Sequence, residues 1–307
     1  MSTLLGYDCQ KDKRNIGIES CGVKAGNETG HIRMPKGFTI DLDTVTFDLD
    51  YVNDQIQQGN FEFITNCFSQ ITETPESQTE TSPLGKMSVT QKGLGVTTCI
   101  AKKGYEFHAS IYGEFSDTYD IMPVFKNNII QAAHTGTGNV IKGFSVGMYD
   151  VGGWQNTNGS VSAQTTIKYQ FDDAYEVNTA GVYLTNLPFN ANTGVNNIVN
   201  LTMTGRADVS NALVYVKAVW ARNPQLKIAT LSSTNLKATI DGVADPITDV
   251  TYNPSTFEYE VELTTAFTTS SSIVISTNDA TASPVVAVAK VVNKFYKGAT
   301  PAITPVA

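Results

Sequence analysis

Hydrophobic and polar residues alternate along much of the chain with a period of two, the spacing of a strand that buries one face. The segment FTIDLDTVTFDL (38–49) places Phe38, Ile40 and Leu42 on one side and Thr39, Asp41 and Asp43 on the other. It predicts a half-buried strand on which Asp41 and Asp43 share a face, as do Asp48 and Asp50. YVNDQIQQG (51–59) then reads as a short helix closed by Gly59. Strands are expected at 61–71 and at 88–101. Between 103 and 116 the residues Tyr105, His108, Ala109, Tyr112 and Phe115 recur at helical spacing and predict the main amphipathic helix, despite Gly113. YDIMPVF (119–125) and IIQAAH (129–134) flank Lys126-Asn127-Asn128, a hairpin signal. Two more strands, 140–149 and 161–171, are separated by the Gly- and Asn-rich VGGWQNTNGS, and Asp172-Asp173 ends the second.

Beyond residue 178 the pattern changes to short strands and turns alone. DVTYNPSTFEYEVEL is the clearest piece, two alternating strands joined by Asn253-Pro254-Ser255-Thr256. Short strands at about 8–12-residue spacing without a helix predict an immunoglobulin-like β-sandwich. The expected fold class is therefore mostly β: a first domain, 1–177, with one main helix, and an Ig-like domain, 178–307. A later cut near Asn223-Pro224 is the alternative boundary. Residues 1–35 show little periodicity and read as an extended arm or irregular lead-in. Residues 72–87, TETPESQTETSPLGKM, carry two prolines and no apolar period, and read as a long exposed loop or a wide hairpin tip.

Charge sharpens this picture. The 307 residues include 29 acids and 21 bases, a net charge of −8, and 16% of residues are charged against about 25% in an average globular protein. Residues 1–176 hold 21 acids and 13 bases, whereas 177–307 hold eight of each. The stretch 37–85 contains nine acids and no Lys or Arg. Such a field repels nucleic acid, because affinity for DNA comes from cations that release its counterions. The acids read either as a solvated edge or as a surface that sits near DNA without holding it. No run of about 18 apolar residues is present, so no membrane span is expected. MSTLLGYDCQKDKRN is not read as a secretory leader. Cys9, Cys21, Cys67 and Cys99 are scattered without a CxxC pair, and free thiols in a reducing cytoplasm are expected.

Candidate chemistry is sparse. Gly143-Phe144-Ser145-Val146-Gly147 matches the GxSxG nucleophile elbow, which works at a strained strand-to-helix turn. Here the flanks read as one continuous strand, and His31, His108 and His134 all precede Ser145. Cys9, Cys21 and His31 lack an evident fourth zinc ligand. The paired aspartates could meet a cation only as exposed strand-face carboxylates. His108 reads as a packed or rim histidine, and Trp154 and Trp220 as core or interface anchors. No enzyme, cofactor or metal site is expected.

The order of elements in 35–175, followed by an Ig-like appendage, resembles the major tail-tube proteins of long-tailed bacteriophages. The pieces that carry the likeness are NDQIQQGNFEFIT (53–65), KGYEFHASIYGEFSDTYDIMPVF (103–125) and GFSVGMYDVGGWQ (143–155). The resemblance implies a virion tail protein, made in the host cytoplasm, whose copies form hexameric rings that stack into a tube and meet other tail proteins. Asp41, Asp43, Asp48 and Asp50 would face an acidic lumen through which DNA passes unbound. Glu73, Glu76 and Glu80 would lie on a loop touching the next ring. The alternative reading is a capsid or head-decoration protein, or a surface adhesin.

Overall fold

Strand pairing explains how the first half of the chain encloses a core. The computed structural model describes residues 3–5, 26–73, 78–81, 83, 87–91, 95–112, 118–156, 163–210, 213–279, 287–291 and 294–306. In chain order come β1 (Thr3–Leu5), β2 (Glu28–Pro35), β3 (Thr39–Asp41), α1 (Leu49–Gln58), β4 (Glu62–Thr65) and β5 (Cys67–Glu73). Next are β6 (Gln78–Thr81), β7 (Met87–Gln91), β8 (Val96–Ala101), α2 (Tyr105–Ile111), β9 (Tyr119–Phe125) and β10 (Ile129–His134). Then follow β11 (Val140–Lys142), β12 (Phe144–Val151), β13 (Thr165–Phe171), α3 (Ala174–Thr179) and β14 (Gly181–Thr185).

The pairings close on themselves. β2 pairs with β4 and β9, β9 with β12, β12 with β13, β13 with β8, and β8 with β5, all antiparallel. β4 runs into β5 through Asn66, whose φ of 60° bends the strand where its partner changes from β2 to β8. β12 makes the same crossing, pairing with β9 at Phe144 and Ser145 and with β13 from Val146 onward, with a register shift between Val146 and Met148. The result is a six-stranded barrel. β9 leaves its far end to β10, which continues the sheet to β14 and β1.

Several sequence expectations are corrected here. Glu28–Pro35 is no lead-in but the strand β2. Gly30 is required there, because a Cβ would stand 2.1 Å from the Ile64 carbonyl oxygen. The strand expected over 38–49 stops at Asp41, where turn-forming Asp and Thr residues take over and α1 begins at Leu49. Among the described residues the longest helix is therefore α1, with Gly59 at φ 81° as its stop, while α2 covers seven residues and is capped at Tyr112. The 88–101 strand is two, and 61–71 is split at Asn66. The β9–β10 hairpin stands as expected, Asn128 supplying φ 59°.

Gly181–Thr185 pairs with β10 and β1, so it belongs to the first unit. The chain divides into Met1–Gln55 with Gly59–Val195, and Asn196–Ala307 with Ile56–Gln58. The boundary at 177 was set by a step in charge, yet 177–205 carries no charged residue, so that step fixes no position within it.

The second unit holds β15 (Ile198–Asp208), β16 (Leu213–Trp220), β17 (Asn223–Lys227), β18 (Leu236–Ile240), β19 (Val243–Asp245) and β20 (Ile247–Asn253). It ends with β21 (Glu258–Leu263), β22 (Ile273–Thr277), β23 (Ala289–Val291) and β24 (Lys294–Lys297). One sheet runs β20-β21-β16-β15-β24-β23 with β17 on β16, and a second runs β19-β18-β22. Val214, Val216, Tyr259 and Val261 of the first pack with Leu236, Ala238, Ile273 and Ile275 of the second around one core. The chain is mostly β throughout.

Candidate assembly interface

The most distinctive surface element grows from the barrel at β5 and β8. These strands pair from Cys67↔Ala101 to Glu73↔Val96, and β6 and β7 pair from Gln78↔Gln91 to Thr81↔Met87. A one-residue shift after Ile71 is undone after Gln78, so both pairs keep one register, and they are called the ribbon below; residues 74–77 and 92–94, between them, lie outside the described residues. β13 backs the inner pair, whereas β6 and β7 pair only with each other among the described residues. Cys67 and Cys99 stand diagonally across the ribbon base, with Cα atoms 5.7 Å apart, and form a disulfide. This corrects the expectation of free thiols for that pair; Cys9 and Cys21 lie outside the described residues. Glu73 pairs with Val96 and Glu80, exposed, with Ser88, while Glu76 lies outside the described residues.

The aspartates form no strand face. The Asp41 carboxylate accepts from Asp43 N at 3.0 Å and tightens a turn, and Asn139 Nδ2 donates to Asp43 at 2.6 Å. Asp48 caps α1, accepting from Tyr51 N at 2.9 Å, and Asp50 sits in the first helical turn where the helix dipole favours a negative charge. All four lie between the last residue of β3 and the first turn of α1. Asp43 there, and Asp50 and Asp54 on α1, are exposed.

α2 turns an aromatic edge outward. Tyr105 and Tyr112 are each 60% exposed, and His108 lies between them and Trp154, with ring centroids 5.0 Å from Tyr112 and 5.5 Å from Trp154. Tyr105 meets Trp154 edge-on at 5.6 Å. On its inner side Ile111 joins the barrel core with Cys67, Cys99 and Ala101. Exposed Tyr and a half-buried Trp, as here, are residue types that anchor protein interfaces.

Inside the barrel lies a polar cluster that period-two reading assigns to solvent. The Arg33 guanidinium pairs with Glu62 and lies 4.4 Å from the Tyr119 ring centroid. His31 is fully buried, its Nε2 3.2 Å from the Tyr149 hydroxyl and its ring 5.1 Å from that of Tyr169. The Tyr169 hydroxyl donates to Glu28 at 2.5 Å. Burial, with Arg33 and Lys103 nearby, holds the His31 imidazole down to about 3, so it stays neutral at neutral pH. Burial also drives Lys103 down against the pull of Glu62.

Ser145 sits in β12, which continues to Val151 without the elbow turn. Its glycines have packing reasons: a Cβ at Gly143 would stand 2.8 Å from Ile121 N, and Gly147 lies in the β12 bulge. The three histidines are far apart in the pairing scheme, His134 binding the Gly138 carbonyl at 2.8 Å. Among the described residues no three His, Cys, Asp or Glu side chains gather as a metal site, and no helix is long and apolar enough to cross a membrane. Comparison with family models, with curated proteins and with solved structures gives no match to this chain.

Proposed function

We propose that the chain is a virion structural protein that assembles with copies of itself into stacked rings forming a tail tube. The observation that carries this reading is the β5–β8 ribbon. Its outer strands, β6 and β7, leave both edges without a partner strand among the described residues. Unpaired strand edges seek pairing, and proteins that keep them either blunt them or use them in assembly. The ribbon reaches to the adjacent ring, with the disulfide between Cys67 and Cys99 fixing its root. The exposed aspartates of the β3–α1 connection line the conduit and keep DNA from adhering. The second unit is an Ig-like domain in this reading.

Negative-stain electron microscopy of the full chain at rising concentration tests the proposal. Hollow rods or stacked rings are expected. Small oligomers at every concentration would instead favour a decoration protein or an adhesin.

A further inference from the structure

The sheet of the first unit ends on an edge that the assembly reading does not use. On one side β14 pairs with β10, from Ile130↔Leu184 to Ala133↔Gly181. On the other it pairs with β1 in the antiparallel register Thr3↔Thr185, Leu4↔Leu184 and Leu5↔Tyr183. No further strand pairs with β14 or with β1 among the described residues. Thr3–Leu5 is therefore the strand that covers β14, and an uncovered β14 would present a row of backbone donors and acceptors.

The cover is exchangeable. Three residue pairs hold it, and each backbone hydrogen bond made in water returns little net free energy. Against that stands the entropy of closing the chain over residues 6–27, which grows with the number of residues closed. The two are of similar size, so its own chain holds the strand weakly. Reach does not confine it either. Residues 6–27, fully extended, span roughly 75 Å, several times the roughly 16 Å radius of gyration of a unit this size. Pairing along an edge asks for a strand in matching register, and Thr-Leu-Leu is the sequence this edge is seen to accept. Every copy of the chain carries it. An identical strand from another copy makes identical backbone pairs, which is why exchange of an element between copies costs little.

We infer that the outer edge of β14 is a strand-acceptor site whose partner is the Thr3–Leu5 strand of a second copy of this chain. It is a different edge from those of the ribbon, and the inference does not depend on stacked rings.

Register supplies the test. Thr3 and Thr185 are opposed, and opposed residues of an antiparallel pair have Cα atoms within disulfide range. In a Cys9→Ser, Cys21→Ser background, Cys67 and Cys99 bond each other and only introduced thiols remain. Two full-length chains, one with Thr3→Cys and the other with Thr185→Cys, are mixed and oxidised. A heterodimer linked through 3 and 185 is expected, and a chain carrying both substitutions should give a ladder of covalent multimers. A labelled peptide of residues 1–8 gives a second reading without new cysteines. It should bind a chain lacking residues 2–6 at least tenfold more tightly than the full chain. The inference is overturned by 3–185 links confined to single chains, by no such link at all, or by equal peptide binding to both chains. Rods whose links stay within single chains would remove it and leave the tail-tube reading standing, whereas a ladder without rods would do the reverse.

Discussion

In the first unit, buried polar side chains face one another: Arg33 meets Glu62, His31 meets Tyr149, and Tyr169 meets Glu28. In the second, Tyr259, Asn235 and Asp245 turn mainly to the backbone, with the Ser232 and Thr265 hydroxyls donating to Asn235 and Asp245 besides. The Tyr259 hydroxyl donates to the Ile228 carbonyl at 2.6 Å and accepts from Leu231 N at 3.2 Å. Asn235 donates to the Lys290 carbonyl, and the Asp245 carboxylate accepts from Thr264 N and Thr265 N. The barrel thus depends on the charge state of several side chains at once, while the second unit depends on main-chain partners that do not titrate. Side-chain networks of this kind specify a unique core when complete and are costly when one member is lost.

The largest effect expected is from Arg33→Ala. It opens a cavity where the buried Arg33 side chain packs against the Tyr119 and Tyr149 rings, costing the first unit about 3–5 kcal/mol, while Glu62, 36% exposed, stays solvated and adds little. Arg33→Met, which keeps volume, should cost clearly less. Single-tryptophan variants retaining Trp154 or Trp220 report the two units separately in thermal or denaturant unfolding. A loss of that size in the Trp220 signal would break the distinction between them.

Reducing the disulfide between Cys67 and Cys99 should lower the stability of the first unit by about 2–4 kcal/mol and leave the second unchanged. Unfolding with and without reductant, followed through each tryptophan, checks this.

Acidification comes next. The His31 pKa of about 3 in the folded barrel lies below its ordinary 6.5. The unfolded chain therefore takes up a proton that the folded one refuses, and stability present above pH 6.5 is lost as pH falls toward 3. The slope approaches about 1.4 kcal/mol per pH unit in that window. Asp120 acts in the opposite sense, since burial raises its carboxyl and the folded state takes up that proton more readily as pH falls. His31→Phe should flatten the acid slope of the Trp154 signal. If the slope persists in that variant, the barrel's acid sensitivity has another source.

The smallest effect is local. Asp48→Ala removes the α1 cap and should cost about 1 kcal/mol by denaturant unfolding, whereas the exposed Asp43→Ala should cost less.

Where alternation and turn chemistry agree, the sequence was legible. The hairpin around Asn128, the helix ending at Gly59 and the strands either side of the Asn253 turn all appear at the expected places, whereas the single strand expected over 140–149 is divided at Gly143 into β11 and β12. Legibility fails where both faces of a strand are covered. In β2, His31 and Arg33 alternate with Ile32 and Met34 for only four residues, and these polar side chains are buried instead of facing water. The acidic segment misled in another way. Asp41 and Asp48 alternate with apolar residues, yet their carboxylates bond nearby backbone N–H groups and divert the chain into a turn and a helix start. Of the candidate interface, the 72–87 segment was visible as an exposed feature because it lacks an apolar period. Its pairing as a ribbon depends on register with 87–101, which no local pattern encodes.

The ribbon is the element on which the proposed assembly rests, so its outer part is the piece to remove. Replacing residues 74–94 by a short glycine-containing turn keeps the paired base and the disulfide between Cys67 and Cys99. Electron microscopy and sedimentation of this variant beside the full chain give the most direct test. The account predicts rods or stacked rings from the full chain, and single rings or smaller species from the variant. Equal assemblies from both, or none from the full chain at any concentration, would contradict it.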